Sequence, residues 1–407
     1  MENNTGCYKK QVRMSPISKW GAFMIIFAIF YTFKISFLLN VNDYILAGFA
    51  SLMLFAFFAC NKSIVRNDNT GNLMMTLFYI GVILATRGNF NSYIGITLLV
   101  MPFFFIAKLK LSYMAYILYV FDKILSFTVA ISLIVWCVYL VGIPLPHYNF
   151  EWGSYLFENY YAFLKINDIY SYYAFPRFQY VFTEPGYFGC LCVFMIYLRK
   201  YQLREWQTLV YFISLILTFS LAGYILFFIG FLPNALKKTT NRNRYIIIFV
   251  ILILLFFYLI GPGQDNVFAS MFAYRLNFDG GEMSGYNRTS LDFENWWNSY
   301  FLSKGNWFWG NNDELIRALG DDGLIGVDLR AFIARFGVIP LAFYFSSMII
   351  LYLHNKSKDG FFFLLLFCVF YYRGYTVMFY MGFPILYVLG IYVLNASNSK
   401  INHCCPV

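Results

Sequence analysis

The amino-acid sequence predicts an all-α polytopic membrane protein with about twelve transmembrane helices and two large outer loops. Hydrophobic residues fill 60% of the 407 positions and charged residues only 12%, about half of the roughly one quarter usual in soluble domains. Many apolar runs are about 15 to 20 residues long, and a soluble chain of this size could not bury them all. The basic residues also concentrate in alternate connections, as membrane topology requires.

Twelve apolar runs are the predicted spans, several of them shorter than the roughly 20 residues of an ideal span. They lie at 20–39, 44–60, 73–86, 93–107, 124–143, 185–199, 207–220, 222–236, 245–261, 332–353, 361–373 and 376–394. The segment Leu111–Asp122 is apolar but flanked by lysines, which predicts an interfacial helix leading into the fifth span. The basic N-terminus is followed by a span-length run without a small-residue cleavage site, so we expect no cleavable signal peptide.

The charge distribution predicts which side of the membrane each connection faces. With a cytoplasmic N-terminus, the inner segments hold 19 of the 30 basic and 5 of the 20 acidic residues, a net charge of +14. The outer side and the buried positions are left with a net charge of −4. This strong positive-inside pattern places both termini in the cytoplasm, and the opposite orientation would invert it.

Two long connections fall on the outer face, at 144–184 and 262–330, within a single transmembrane domain over residues 1–407. Every predicted inner loop is short and basic. The second outer loop contains four of the eight Trp residues. Because functional groups are usually carried on irregular surface backbone, we expect this protein to act on something outside the membrane.

The first loop ends in a sequence with the features of an anion site. Arg177 and Glu184 lie seven residues apart, immediately before the sixth predicted span. Pro185 fits the first turn of that helix, and either Thr183 or Glu184 could cap it. A helix N-terminus that faces the outer surface attracts anions, and an arginine would strengthen the attraction. In the alternative reading, Glu184 only caps the helix and Arg177 only reaches toward the interface.

The second loop combines arginine with aromatic and amide side chains. Asn287 and Arg288 precede Trp296 and Trp297, and the aromatic segment Trp307–Trp309 follows. Flat aromatic faces match the C–H face of a pyranose ring, while Asn side chains bind hydroxyls. The alternative is an aromatic belt at the lipid interface. Further arginines lie at predicted outer membrane ends, where charge is costly unless it faces a cavity or an anion: Arg335 and Arg373 above all, and also Arg87, Arg275, Arg317 and Arg330.

No metal site is predicted, since the three His residues lie in separate segments and the eight Cys residues form no recognisable ligand pattern. We likewise expect no cofactor and no nucleic-acid partner.

In its architecture the chain resembles the bacterial O-antigen polymerase family and, more remotely, the O-antigen ligases. Arg177 followed by Phe182–Gly186 looks like the family's Arg and (E/N)P segment before a helix. Arg288, which is followed by aromatic residues and then by Trp309-Gly310, is similar to the family's second loop arginine before a Gly turn. The segment Asp328…Arg335-Phe336-Gly337 is similar to the family segment that opens the next span. Two departures are Asp328, where ligases carry a His, and the turn Thr218–Gly223, which lacks the family's Arg.

The resemblance implies a GT-C-type glycosyltransferase of lipopolysaccharide biosynthesis in the bacterial inner membrane. Its donor and acceptor would be undecaprenyl-diphosphate-linked oligosaccharides, and a chain-length regulator would be a possible partner. Arg177, Glu184 and Arg288 would be catalytic, with Glu184 as general base. The expected substrate-binding residues are Arg373, Arg335, Tyr187, Trp296, Trp297 and Asn287. An O-antigen ligase, a lipid-linked oligosaccharide flippase and a secondary transporter are the alternatives.

Overall fold

A computed structural model describes residues 16–33, 35, 43–60, 65–66, 68–86, 90–152, 155–167, 176–237, 278–279, 282–283, 290–319, 329–355, 358–372 and 382–403. This part of the chain is mostly helical, which confirms the predicted helical class. The chain divides into two compact units, residues 1–125 with 291–407 and residues 126–290. Each unit is described by itself below, and the predicted single domain stays a prediction.

The first unit begins with long apolar helices. They are α1 (Pro16–Thr32), α2 (Asp43–Cys60), α3 (Asn69–Leu84), α4 (Phe90–Ala107) and the first half of α5 (Leu111–Leu140). Asp68 caps α3, because its carboxylate accepts the backbone N–H of Thr70 at 3.1 Å. Helices α2 and α4 pack together, and the Ser51 hydroxyl donates to the Leu98 carbonyl across them at 3.0 Å.

The same unit closes with the C-terminal part of the chain. Its elements are α9 (Leu291–Trp296), a π-helical turn (Trp297–Phe301), α10 (Leu302–Lys304), α11 (Asn312–Leu319), α12 (Leu329–Phe336), α13 (Val338–His354), α14 (Lys358–Tyr372) and α15 (Gly382–His403). Helix α13 packs along α3, and a Cβ on Gly81 would lie 2.9 Å from the Pro340 carbonyl oxygen. The absence of a side chain at Gly81 therefore allows the two helices to approach closely.

The second unit contains the rest of α5, a small antiparallel sheet and three helices. The sheet is β1 (Tyr148–Trp152), β2 (Tyr155–Asn159) and β3 (Leu164–Ile166), in that order. The helices are α6 (Pro185–Leu198), α7 (Trp206–Leu217) and α8 (Leu221–Lys237), and a two-stranded ribbon follows as β4 (Phe278–Asp279) and β5 (Glu282–Met283). Helix α6 packs against both α7 and α8 and is buried along nearly all of its length.

Two helices in the described part of the chain have the length and apolar composition needed to cross a membrane, α4 and α5. Several shorter apolar helices, including α3, α6 and α13, fall below that length. Twelve spans therefore stay a prediction, and the predicted span 245–261 lies outside the described residues.

The structure differs from the sequence-based expectation in three places. The interfacial helix Leu111–Asp122 and the fifth span form one continuous helix, because no Gly or Pro interrupts residues 111–140. The predicted span 332–353 is divided at Gly337, whose φ of 82° and ψ of −179° leave the helical region. The first outer loop folds as a sheet, which lies outside an all-α class.

Candidate functional site

Arg177 lies in the second unit and binds the end of a helix. Its Nε donates to the Thr218 carbonyl at 2.8 Å, and its Nη2 donates to the Phe219 carbonyl at 3.2 Å. These carbonyls immediately follow α7, where backbone oxygens lack helical partners. The guanidinium is therefore held in a fixed position by the backbone, with part of its hydrogen-bonding capacity used there.

Glu184 and Tyr187 lie at the start of α6 in the same unit. Glu184 is the N-cap residue, with φ of −134° and ψ of 127°, and Pro185 follows in the first turn as the sequence predicted. The Glu184 side chain makes no cap hydrogen bond, although its carbonyl accepts the Tyr187 N–H at 3.2 Å. Both side chains are half-buried.

Arg177 contacts the turn Thr218–Gly223, which the sequence analysis had singled out as a departure from the resemblance. Phe219 adopts a left-handed φ of 47°, and the Ser220 N–H donates to the Thr218 hydroxyl at 3.2 Å. A Cβ on Gly189 of α6 would lie 3.2 Å from the Ser220 Cβ. The structure thus brings together two segments that the sequence analysis selected independently, the Arg177 segment and this turn.

Arg335 lies in the first unit, in the last turn of α12, and its side chain is only 7% exposed. A guanidinium carries its charge at every physiological pH, so burying it costs free energy unless anions or hydrogen bonds compensate. The backbone around it contacts the segment Trp307–Asn311, since the Asn311 N–H donates to the Ala334 carbonyl at 2.7 Å. A Cβ on Gly310 would lie 2.5 Å from the Arg335 carbonyl oxygen.

Arg330, on the same helix, has a different environment. Its Nη1 and Nη2 donate to the two carboxylate oxygens of Glu294 at 2.8 and 2.5 Å, a bidentate ion pair between α12 and α9. About a third of the Arg330 side chain is exposed. These two arginines, five residues apart, therefore differ in environment: Arg330 is paired with a carboxylate and partly exposed, whereas Arg335 is buried.

Trp296 and Trp297 belong to an aromatic cluster in the first unit. The Trp297 ring stacks on Phe301 at 4.6 Å and meets Trp307 edge-on at 5.6 Å between centroids. Trp297 is 6% exposed and Trp296 is half-buried. Their predicted contact with sugar stays a prediction, while most of the exposed aromatic surface of this region lies on Trp307, Phe308 and Trp309.

No family model, curated protein or solved structure matches this chain. The proposed function therefore rests on the residues of the chain itself.

Of the predicted catalytic and substrate-binding residues, Asn287, Arg288 and Arg373 lie outside the described residues, as do the further arginines Arg87 and Arg275. The described ones form two separate groups, with Arg177, Glu184 and Tyr187 in the second unit and Arg335, Trp296 and Trp297 in the first. Across the ranges that the structure describes, no group of three or more His, Cys, Asp or Glu side chains is arranged to hold a metal ion.

The sequence analysis missed a polar network beside the aromatic segment. The Glu314 carboxylate accepts the Tyr300 hydroxyl and the Asn311 Nδ2, each at 2.5 Å. The hydrogen bond to Glu314 raises the pKa of Tyr300 above its ordinary value, because it stabilises the protonated phenol. The only sequence signal for this network is the polar start of α11, Asn312-Asp313-Glu314, which is typical of a capped helix.

Proposed function

We propose that this protein is an O-antigen polymerase, a GT-C-type membrane glycosyltransferase of the bacterial inner membrane. It would join undecaprenyl-diphosphate-linked oligosaccharide repeat units at the periplasmic face. The observation that carries the proposal is the position of Arg335, a buried arginine whose backbone lies against an exposed aromatic segment bordered by Asn and Glu side chains. A cationic residue beside a surface suited to bind sugar fits a substrate that is both an anion and a saccharide.

Contacts within each unit support the charge-based topology. In the second unit, Arg177 binds the turn at Thr218, and both segments were assigned to the outer side. In the first unit, the Arg66 N–H donates to the Lys108 carbonyl at 2.7 Å, and Thr70 contacts His354 at 3.2 Å. All four of these residues belong to predicted inner ends. One span more or fewer between two such partners would place them on opposite sides of the membrane.

In the proposed reaction, a hydroxyl of one lipid-linked unit attacks the anomeric carbon of the chain on a second lipid. The new C–O bond forms as the bond to the diphosphate breaks, and undecaprenyl diphosphate leaves with the electron pair. The hydroxyl proton passes to a base, for which Glu184 is the candidate. Arginine forks suit the leaving diphosphate because they pair with phosphate oxygens in a bidentate manner. Arg177 and Arg288 are proposed for this role, with Arg335 and Arg373 as further ligands.

The alternatives make different predictions. A flippase has short loops on both sides, whereas residues 144–184 and 262–330 are long. A secondary transporter has matching broken helices in two related halves, and the sequence contains no such pair that we can defend. An O-antigen ligase transfers the chain to lipid A-core rather than to another repeat unit.

Chain growth in membrane vesicles tests the proposal with two arginines of one helix. Arg335→Ala should reduce polymerisation of lipid-linked repeat units roughly a hundredfold or more, the effect of losing one donor to a developing anion. Arg330→Ala should reduce it much less, because the Arg330 guanidinium is already paired with the Glu294 carboxylate.

The amount of inserted protein and its thermal midpoint control for misfolding. Arg335→Lys, which keeps the charge but loses the planar fork, should be inserted normally and still polymerise slowly. Wild-type chain growth in inserted Arg335→Ala protein would contradict the proposed role of this residue, and transfer to lipid A-core by the wild type would favour the ligase.

A further inference from the structure

The segment Gly305–Asn311, here called the aromatic turn, exposes three consecutive large rings. Trp307 is 40% exposed, Phe308 is 67% exposed and Trp309 is 46% exposed. These rings lie on a turn between α10 and α11, whereas an interfacial belt is usually carried at the ends of membrane helices. A contiguous exposed aromatic patch commonly marks a binding surface.

The backbone of the aromatic turn is fixed by its own hydrogen bonds. The Asn306 Oδ1 accepts the N–H groups of Phe308 and Trp309 at 3.2 and 3.1 Å. The Gly310 N–H donates to the Asn306 carbonyl at 2.7 Å, and the Asn306 N–H donates to the Asn311 Oδ1 at 2.5 Å. The exposed rings are therefore presented by a single backbone conformation, which lowers the entropy lost when a ligand binds.

The turn is also attached to the start of α13. The Val338 and Ile339 N–H groups donate to the Trp307 and Phe308 carbonyls at 2.8 and 3.3 Å. The first N–H groups of a helix have no partners within it. The carbonyl groups of the aromatic turn therefore provide the hydrogen-bond acceptors that a capping side chain would normally provide. This attachment holds the rings directly beside the helix that begins after Arg335 and Gly337.

Amide and carboxylate side chains that can bind hydroxyl groups border the turn. The Asn311 amide and the Glu314 carboxylate are hydrogen-bonded to each other, and Tyr300 donates to the same carboxylate. Glu314 is exposed and Asn311 is half-buried. Flat rings edged by amide and carboxylate groups match a sugar, whose ring has an apolar C–H face and a rim of hydroxyls.

We propose that the aromatic turn is a saccharide-binding surface, on which Phe308 and Trp309 stack against a sugar ring of the repeat unit while Asn311 and Glu314 bind its hydroxyls. This inference rests on the proposed function. It assigns the sugar contact to the exposed rings of Phe308 and Trp309, and it leaves the diphosphate to the arginines.

Binding to the full-length protein in lipid nanodiscs tests this inference. One probe is the oligosaccharide released by mild acid from the producing strain's lipid-linked repeat units, and the other is undecaprenyl diphosphate without sugar. Phe308→Ala and Trp309→Ala should each bind the oligosaccharide at least about tenfold more weakly, a loss of about 1.4 kcal/mol. Their affinity for undecaprenyl diphosphate should stay at the wild-type value, and their apparent KM for the repeat unit in chain growth should rise.

Leu302→Ala is the matched control, because Leu302 is 51% exposed just before the turn and makes none of the hydrogen bonds that define it. Wild-type oligosaccharide binding by both turn variants would overturn the inference. The inference would also be overturned if Trp309→Ala binds sugar normally but its tryptophan fluorescence is quenched less by brominated lipids than that of the wild type. That result would identify Trp309 as a membrane anchor. If the wild type itself neither binds the oligosaccharide nor extends chains, the proposed function fails as well.

Discussion

Two glycines determine whether the aromatic turn can lie against the helix start. Gly337 has φ of 82° and ψ of −179°, a backbone conformation available almost only to glycine. A Cβ at this position would lie 2.1 Å from the Phe308 carbonyl oxygen, the acceptor for the Ile339 N–H. Gly310 approaches the Arg335 backbone with φ of 73°. Backbone geometry at these two residues therefore keeps the exposed rings in place.

We expect Gly337→Ala to destabilise the protein and to displace the aromatic turn. The strained backbone should cost about 1–3 kcal/mol, and the clash with Phe308 adds to it. Gly142→Ala is the control, since Gly142 has φ of 85° but no atom within 4 Å of an added Cβ. Thermal midpoints of the two purified variants should show the larger loss for Gly337→Ala. Equal midpoints would mean that the contact with the turn contributes nothing.

The arginines show what residue type alone can and cannot reveal. The sequence predicted Arg177 and Arg335 as anion ligands from their position at membrane ends, but it did not indicate their partners. The structure shows Arg177 bound to the backbone after α7, Arg330 paired with Glu294, and Arg335 buried. These differences arise from contacts between segments distant in sequence, which no local pattern encodes.

At the scale of elements, hydrophobic run length was a good guide to the helices. Each predicted span that the structure describes, in whole or in part, overlaps a helix, and 332–353 overlaps two, because burial of apolar side chains requires satisfied backbone groups. The boundaries at Gly337 and within α5 were wrong. Flanking lysines indicated a break near Lys123, yet its Nζ lies over the Tyr119 ring at 4.5 Å, so the charge is accommodated on a continuous helix.

The sheet in the first outer loop was missed although its signal is present. Apolar and polar residues alternate in β1, and the sequence Gly153-Ser154, which is typical of a hairpin, separates β1 from β2. Phe150 faces Phe157 across the strands, with their rings stacked at 5.3 Å. The neighbouring segments are long and strongly hydrophobic, which predicts helices. The strands are only three to five residues long, so their alternating pattern is a much weaker signal.

The sheet also contains an ion pair that we expect to make it sensitive to acid. The Glu158 carboxylate accepts hydrogen bonds from Lys165 at 2.9 Å and from Tyr160 at 2.7 Å. Burial alone would raise the pKa of Glu158, but these hydrogen bonds and the charges of Lys165 and His147 outweigh burial and lower it. A lowered pKa means that the folded sheet is stabilised by the ionised carboxylate. That stabilisation is complete above the ordinary pKa of 4.5 and is lost as the pH falls through the lower folded value.

We expect amide hydrogen exchange in β2 and β3 to accelerate as the pH is lowered from 5 toward 3, after correction for intrinsic exchange. Glu158→Gln should remove this pH dependence and make exchange faster already at pH 6, because the ion pair with Lys165 is lost. Glu151→Gln, an exposed carboxylate on β1, is the control and should retain the wild-type response. An unchanged pH response in Glu158→Gln would show that another group controls the opening of the sheet.

At the scale of the whole molecule, composition and charge predict topology more directly than chemistry. The net charge of +14 on the predicted inner segments is the basis of that prediction, which the structure does not test. The proposed reaction depends on this arrangement, because a substrate in the outer leaflet can meet the aromatic turn only if the turn faces outward.

Labelling of introduced cysteines with a membrane-impermeant maleimide tests the topology in intact spheroplasts, on a background with the native cysteines replaced by serine. Each unit offers a pair of exposed positions. In the first unit, Ser303→Cys near the aromatic turn should react from outside, while Lys110→Cys should react only after permeabilisation. In the second unit, Glu151→Cys should react from outside, while Arg204→Cys should react only after permeabilisation. The reason is that retained positive charge keeps inner segments on the cytoplasmic side.

The pairs also separate two kinds of failure. A complete reversal, in which Lys110→Cys and Arg204→Cys are labelled from outside, would place the arginines and the aromatic turn in the cytosol and eliminate a periplasmic polymerase. If only one pair is reversed, two positions that were assigned to the same side, such as Lys110 and Arg204, lie on opposite sides. An odd number of spans would then separate them in the sequence, and the predicted number of spans would need revision. Since the chemistry needs Arg177 and Arg335 on the same side of the membrane as the sugar, only the predicted labelling of both pairs leaves the proposed reaction possible.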